Sequence, residues 1–373
     1  MFDRVFFSFE VGFLQIIHKI HAGLCYNTVI EKYRQVFVLK RLISLSLCIL
    51  LLISLCAMGF CSCSAGSLYS FGDGELEVVV TVFPAFDLAR EVGGDRVRLT
   101  LLQDRGTDMH SYTPTGATLE ALKTADVFIY IGGVSDDAWI HDAIEASGNE
   151  ELISLCLIDT VEQIHAETEN DWTSHSHEHD EGEDDHSSAH GDHAGHHHSG
   201  DEHIWLSLRN AVRMVGAIES VFSLADEKNT DYYRGRAGEF CEKLSSLDRS
   251  YSELFEGKEI PRVVFADRFP FVYLFHDYHI PYIAAFSGCS TEVSASFETQ
   301  ISLIEAYRDS SLGFILTIEG ESKAYARSVA SETGASIRSL DSMQSVSRSD
   351  IESGVTYLGI MQDNLDVLSE VFS

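Results

Sequence analysis

The stretch LEVVVTV, residues Leu76–Val82, is a short apolar run rich in β-branched side chains, and it predicts a buried strand. Apolar residues at helical spacing occur in the same half of the chain, for example at Gly116–Thr124, and predict helices. Further strand-like runs in this half are Val97–Leu102, Val127–Ile131 and Leu155–Ile158. Alternating strands and helices predict an α/β fold whose mostly parallel sheet is covered on both faces.

The same alternation restarts in the second half of the chain. Strands are predicted at Val263–Phe265, Tyr282–Ala284, Leu312–Leu316 and Ser336–Leu340, and helices at Phe297–Tyr307, Ser322–Thr333 and Glu352–Val371. Helical patterns at Ser207–Phe222 and Asp226–Phe255 separate the halves, and the second is long enough to connect two lobes. We therefore predict an N-terminal lobe at 75–224, a linking helix at 225–257 and a C-terminal lobe at 258–373, with a ligand cleft between the lobes.

The segment before the first lobe has the features of an export signal. An apolar run, Leu42–Phe60, follows Lys40 and Arg41, so residues 39–63 are interpreted as a signal segment. A membrane anchor is the alternative, but the serines within the run and its abrupt end favour export. Cys63 is the better candidate for lipidation, and residues 1–38 are interpreted as a misassigned upstream extension. A Gly/Ser linker is predicted at Ser64–Gly74.

Composition restricts the possible partners. The chain is 45% hydrophobic and 23% charged, with a formal net charge of −32. A field of that sign repels phosphate backbones, so binding to nucleic acid is disfavoured. The same field attracts cations, although it also serves to keep an exported protein soluble.

A histidine-rich tract interrupts the first half. Ser174–His203 contains ten histidines and nine acidic residues, with no Lys or Arg. Such a segment cannot bury a core, so we predict a disordered loop at 174–202. Imidazoles beside carboxylates suit zinc and neighbouring divalent ions, which favours a loop that collects metal weakly. A solvated, pH-responsive loop is the alternative.

A tight metal site needs rigid ligands, and the ends of structured elements provide them. His110 lies between a predicted strand and a predicted helix, and His203 is followed by the apolar pair Ile204 and Trp205, which would hold it in place. Acidic residues follow three predicted strands of the second half: Asp267, Glu319 and Asp341.

Three passages resemble the ligand-bearing segments of the zinc- and manganese-binding proteins of ABC importers. They are Asp108–Tyr112, Glu202–Ser207 and Leu340–Ser342, and the likeness runs from about Leu76 to the C-terminus. The acidic, histidine-rich insertion is typical of the zinc branch. The resemblance implies two Rossmann-like lobes, one buried metal site between them, and an ABC permease and ATPase as partners. It also implies that His110, His203 and Asp341 are metal ligands.

One position departs from that family pattern. Where zinc-type relatives carry a histidine and manganese-type relatives a glutamate, this chain has Ala266. Asp267 is the next carboxylate, but Arg268 beside it offers a competing ion pair. Glu319 is predicted to be either a ligand or a carboxylate that orients one. His276 and His279 are predicted to lie on the surface.

The donor set favours Zn²⁺ as the captured ion over Mn²⁺, because intrinsic affinity and abundant imidazole both favour zinc. We therefore predict an extracytoplasmic receptor rather than an enzyme, with a manganese receptor as the alternative in the same family. Two other classes remain, a zinc hydrolase and a histidine-rich metal buffer or adhesin. The His-Glu-x-x-His and Gly-x-Ser-x-Gly motifs of hydrolases do not occur in the sequence.

Overall fold

The structure, a computed structural model, describes residues 68–104, 109–164, 200–286, 296–320 and 323–373. All of them belong to one of the chain's two structural units, Ser67–Ser373. The predicted upstream extension, the signal segment with Cys63 and residues 174–199 of the histidine-rich loop lie outside the described residues. None of the described helices has the length and apolar character that crossing a bilayer requires.

The first lobe is built on a five-stranded sheet. Its strand order is β1-β3-β2-β4-β5, with every pair parallel except β1 and β3. The strands are β1 (Tyr69–Phe71), β2 (Leu76–Val80), β3 (Val97–Leu101), β4 (Val127–Tyr130) and β5 (Ile153–Cys156). Val78 and Val80 enter one apolar cluster while Val79 enters another on the opposite face, so the predicted burial of both faces is confirmed.

Helices cover both faces of this sheet. They are α1 (Phe83–Gly93), α2 (Gly116–Thr124), α3 (Val134–Asp137), α4 (Ile140–Ser147) and α5 (Leu208–Ala225). Local chemistry fixes where two of them begin. The Thr115 hydroxyl accepts the Thr118 N–H at the start of α2, and the Ser207 hydroxyl accepts the Asn210 N–H at the start of α5.

The predicted linker at Ser64–Gly74 is wrong for its second half. Tyr69–Phe71 forms the edge strand β1, antiparallel to β3. Its glycine- and serine-rich surroundings hid it, because three residues are too few to show a period. Tyr69 is buried in the core of the lobe, and burial of this aromatic ring helps to hold the strand in place.

A long helix, α6 (Thr230–Phe255), leads from the first lobe to the second. It packs along α5, and its buried side chains recur at helical spacing: Tyr233, Ala237, Phe240, Leu244, Leu247, Tyr251 and Phe255. The Tyr251 hydroxyl donates a 2.6 Å hydrogen bond to the Met361 carbonyl of the second lobe. The helix is therefore part of the core of both lobes.

The second lobe has a four-stranded, fully parallel sheet in the order β7-β6-β8-β9. Its strands are β6 (Val263–Arg268), β7 (Tyr282–Phe286), β8 (Phe314–Ile318) and β9 (Ser336–Leu340). Its helices are α7 (Val272–Asp277), α8 (Phe297–Asp309), α9 (Ala324–Thr333), α10 (Arg348–Glu352) and α11 (Tyr357–Val371). The predicted class, α/β with two lobes and mostly parallel sheets, is confirmed.

The single helix predicted at Glu352–Val371 is wrong, because the chain breaks between α10 and α11. Gly354 has a φ of 97°, a backbone conformation that ends a helix. The Thr356 hydroxyl then accepts the Gly359 N–H at 3.0 Å and starts α11. The apolar spacing continues across the break at Val355 and Leu358, and this continuity concealed the stop.

The lobes meet through buried polar contacts at the start of α11. The Tyr357 N–H donates to Asp87 Oδ2 at 2.7 Å, and Asp87 is 1% exposed. Burial raises the pKa of Asp87 to about 6, although its ion pair with Arg90 and the Tyr357 N–H act in the opposite direction. This contact therefore opposes a large relative movement of the lobes while placing a buried acid at their junction.

Replacing Asp87 with Asn should change how stability depends on pH. The folded-state pKa of Asp87 lies above its unfolded value, so its stabilising contribution is present below about pH 4 and is lost as pH rises through about 6. Asp87→Asn cannot ionise but keeps an oxygen for the Tyr357 N–H. We expect the difference in unfolding free energy, variant minus wild type, to grow by about 2 kcal/mol between pH 4 and pH 7.

Urea unfolding at pH 4, 5.5 and 7 would measure this difference. The pairing with Arg90 exists only when Asp87 is ionised, so its contribution is already contained in the folded-state pKa of Asp87. Asp363→Asn, at an exposed position of α11, is the matched control. A difference for Asp87→Asn that stays constant with pH would contradict the prediction.

Candidate metal centre

His110 and His203 come from separate parts of the first lobe and lie side by side. His110 belongs to a single 3₁₀ turn, Met109–Ser111, between β3 and α2, and His203 immediately precedes the turn Ile204–Leu206. Their ring centroids are 5.6 Å apart. His203 is 2% exposed, while His110 is partly exposed. Two imidazoles at this separation can approach the same small ion.

Each imidazole is oriented through its Nδ1 atom. His203 Nδ1 lies 2.8 Å from Asp201 Oδ1, which also accepts the His203 backbone N–H at 2.8 Å. His110 Nδ1 lies 2.6 Å from the Ser135 hydroxyl and 3.6 Å from Glu202 Oε2. An ionised carboxylate can only accept, so these contacts favour a proton on Nδ1 and leave Nε2 as the metal donor.

The histidine pair borders a cavity of about 630 Å³ in the first lobe. Its lining combines aromatic and small side chains with polar and acidic groups. Besides the two histidines, it is lined by Tyr112, Thr113, Pro114, Val134, Ser135, Ala138, Trp139, Gly200, Asp201 and Glu202.

The three predicted acidic residues lie at the carboxyl ends of neighbouring strands of the second lobe. Asp341 directly follows β9 and Glu319 directly follows β8, whereas Asp267 lies within β6, where the pairing with β7 is irregular. Burial raises the pKa of Asp341 to about 6, and the Glu319 charge adds to the effect. Burial also raises the pKa of Asp267, again with a contribution from Glu319. The three carboxylates therefore share one electrostatic environment.

Glu319 is engaged in shaping the loop that follows Asp341. One oxygen accepts the Ser342 N–H at 2.8 Å, and the other accepts the Ser342 hydroxyl at 2.7 Å and the Ser345 hydroxyl at 3.1 Å. Asp341 uses Oδ1 to accept the Met343 N–H at 2.7 Å. The contacts of Glu319 thus fit a carboxylate that orients its neighbours.

A tryptophan connects the histidines to these carboxylates. Trp205, two residues after His203, donates its indole N–H to the Ser342 carbonyl at 2.9 Å, directly beside Asp341. Even so, no group of three or more His, Cys, Asp or Glu side chains able to hold a metal ion occurs within the described ranges. The two histidines are brought together, and joint binding with the carboxylates stays a prediction.

The other candidates have clear positions. Ala266 is buried in an apolar cluster with Val264 and Leu303. Asp267 Oδ1 accepts the N–H of its neighbour Arg268 at 2.9 Å. His276 and His279 are both exposed, as predicted.

Sequence reasoning missed the residues that support His110. Ser135 and Glu202 both face its ring, but Ser135 stands alone in the sequence and Glu202 looked like the last acid of the charged tract. The apolar residues after His203 were the available signal that this end of the tract is folded.

Relatives of this chain are metal-binding proteins. Residues 78–371 match the family described as zinc-uptake complex component A, periplasmic, or ZnuA. The zinc-binding lipoprotein AdcA of Streptococcus pneumoniae is 28% identical over 322 residues, which cover 86% of this chain and 60% of AdcA. A putative metal-binding protein of Treponema pallidum is 26% identical over 306 residues, which cover 82% of this chain and 90% of that protein. The chain thus spans 60% of the length of AdcA.

Solved structures share the fold. The Zn(II)-bound ZnuA-like domain of Streptococcus pneumoniae AdcA superposes with a TM-score of 0.62 at 22% identity, over 80% of this chain and 99% of that domain. The metal-dependent lipoprotein YcdH of Bacillus subtilis gives a TM-score of 0.63 at 22% identity, with the same coverage. The two-lobed architecture and the match over residues 78–371 lead to one conclusion: the chain belongs to the ZnuA family of zinc-uptake component A proteins.

Proposed function

We propose that this protein is an extracytoplasmic receptor that captures Zn²⁺ and delivers it to an ABC-type importer. The observation that carries the proposal is the pair His110 and His203, with ring centroids 5.6 Å apart at the edge of a cavity, in a chain of the ZnuA family. The family description and the name of AdcA both refer to zinc. Capture needs a site that binds reversibly, and a histidine pair held by carboxylates meets that need.

The proposed zinc ligands are His110 and His203, each through Nε2, and Asp341 from the second lobe. Asp341 is favoured because its loop is tied to Trp205, two residues from His203. Glu319 is proposed to act indirectly, because both of its oxygens hold the loop at Ser342 and Ser345. Asp267 is the weaker candidate for a fourth ligand, since Oδ1 is occupied by the Arg268 N–H.

The proposed cycle involves capture and release without covalent chemistry. Neutral imidazoles and a carboxylate replace the water around the ion, and the ligands must be deprotonated to bind. The linking helix and the contacts between Asp87 and Tyr357 favour small lobe movements. Transfer requires a permease and an ATPase, and a lipid on Cys63 would keep the receptor close to them.

Zinc is proposed over manganese on the nature of the donors. Imidazole nitrogen suits zinc, and the affinity order for divalent ions places manganese well below zinc. A manganese receptor is the alternative in the same family. A zinc hydrolase is the alternative in another class, and it would require an ion with an open coordination position and an activated water.

Removing either histidine should abolish tight zinc binding, while removing the histidine-rich loop should not. We expect His110→Ala and His203→Ala each to lower the zinc affinity of the tight site by more than about 100-fold. Loss of a residue that only orients a ligand costs up to about 100-fold, and loss of the ligand itself should cost more. Deletion of residues 174–200 should leave that site within a few-fold of wild type while reducing weakly bound zinc. Competition titration with a zinc chelator would measure both quantities.

The exposed residue His276 provides the matched control. His276→Ala removes an imidazole that is far along the chain from both His110 and His203. A loop deletion that removed all zinc binding would identify a metal buffer and contradict the proposed receptor. Unchanged tight affinity in both proposed ligand variants would contradict the site.

The carboxylates should differ in their importance. We expect Asp341→Ala to lose zinc affinity as severely as a histidine variant, because a charged ligand disappears. Glu319→Gln should cost about 10–100-fold, as expected for a group that orients a ligand. Asp267→Asn should have the smallest effect. The same chelator competition in the loop-deleted protein would rank them, and an Asp341→Ala protein with unchanged affinity would remove the second lobe from the site.

Turnover and metal identity need a separate measurement. Native mass spectrometry and elemental analysis of residues 64–373, purified without chelator, should find one tightly held zinc per chain. Manganese at equal occupancy would favour the manganese receptor. Zinc-dependent hydrolysis of ester or peptide substrates, abolished in His203→Ala, would instead identify an enzyme.

A further inference from the structure

Glu202 is a buried acid whose surroundings are shaped to receive it. The residue is 6% exposed, and its Oε1 accepts the Ser135 backbone N–H at 2.7 Å. Gly133 makes room for it, because a Cβ atom there would lie 2.5 Å from Glu202 Cγ. Gly133 also has a φ of 96°, which disfavours any residue with a side chain. The start of α3 therefore forms a seat for this carboxylate.

The second carboxylate oxygen faces a proposed zinc ligand. Glu202 Oε2 is buried, lies 3.6 Å from His110 Nδ1, and accepts no hydrogen bond from the part of the chain that the structure describes. The Ser135 hydroxyl lies 2.6 Å from the same nitrogen. One carboxylate thus holds Ser135 by its backbone and approaches His110 from the side where Ser135 also contacts it.

Burying a carboxylate is costly, so a residue serving only to brace α3 would be better uncharged. Transfer of an ionised carboxylate out of water is strongly unfavourable unless partners compensate it. A glutamine would accept the Ser135 N–H equally well without that cost. Within the described ranges the free oxygen of this carboxylate faces His110, where a negative charge favours a proton on Nδ1.

We propose that Glu202 is a positioning residue of the zinc site, which holds His110 with its proton on Nδ1 so that Nε2 faces the ion. The inference rests on the proposed zinc receptor for its consequence, but the tautomer itself can be observed without any metal. Glu202 acts together with Ser135, just as Asp201 acts on His203. The two imidazoles are then both oriented by acids, and these two acids are consecutive in the sequence.

Glu202→Gln is the decisive substitution because it keeps the shape of the side chain but replaces one acceptor oxygen by an NH₂ group that donates. With its oxygen toward the Ser135 N–H, the glutamine would present its NH₂ group to His110 Nδ1, which must then accept. We expect the His110 proton to move to Nε2 in the metal-free variant, as read from imidazole ¹⁵N chemical shifts. Zinc affinity in the loop-deleted protein should fall by about 10–100-fold.

Asp137→Asn is the matched control. It removes one negative charge from α3, the short helix that Glu202 contacts, at an exposed position, so it measures the general effect of one negative charge fewer. We expect its zinc affinity to stay within about two-fold of the parent and its His110 tautomer to be unchanged. If Asp137→Asn and Glu202→Gln weaken zinc binding equally, with no change of tautomer, Glu202 contributes only charge and the proposal is overturned.

The wild-type spectrum keeps the proposal testable if Glu202→Gln does not fold. Metal-free wild type must show His110 with its proton on Nδ1, and a proton on Nε2 overturns the proposal. Failure of the receptor hypothesis would look different, because a wild type without a tight zinc site would still report the tautomer. Circular dichroism of each variant would verify that it is folded.

Discussion

The indole of Trp205 is the contact on which the arrangement of the site depends. Its N–H bonds to the Ser342 carbonyl in the second lobe, and its own carbonyl accepts the Tyr357 hydroxyl at 2.5 Å. Tyr357 in turn bonds to Asp87 of the first lobe through its backbone N–H. Because Trp205 is only two residues from His203, a change in the distance between the lobes would also move His203. Buried polar groups of this kind must remain paired, so they define one relative position of the lobes.

Buried and partly buried acids recur where the lobes and the histidines meet. Asp87 lies at the junction, Asp341 and Glu319 lie at the strand ends of the second lobe, and Asp201 and Glu202 lie beside the Nδ1 atoms of the two imidazoles. A fold selected for stability alone would avoid so many, since each loses hydration. A divalent cation compensates such a loss, and the same charges that are costly in the empty protein then strengthen its binding. The proposed receptor gives these acids a common purpose.

The predicted difference between a histidine-rich tract that collects ions weakly and a site that binds one ion tightly follows from chemistry. A tract of histidines and acids can bind ions in many arrangements but cannot impose one geometry, whereas His203 is fixed by Asp201, by Ile204 and by the ring of Trp205 5.2 Å away. Rigid ligands lower the entropic cost of binding and set selectivity. The cavity beside the histidine pair is lined by residues of the same lobe, among them Tyr112 and Trp139.

The sequence by itself determined the α/β class and the two lobes with mostly parallel sheets. These follow from local periodicity, as at Leu76–Val80 and Thr230–Phe255, whereas the choice of His110 and His203 as metal ligands came from the resemblance to the family and stays a prediction. Only the tertiary structure decided that Tyr69–Phe71 is a strand, that Gly354 divides a helix, and that Glu202 turns toward His110. The physical reason is the range of the interactions. Side-chain periodicity can be recognised within a few neighbouring residues. The contacts of Glu202 with Ser135 and of Trp205 with Ser342 instead join positions that are 67 and 137 residues apart.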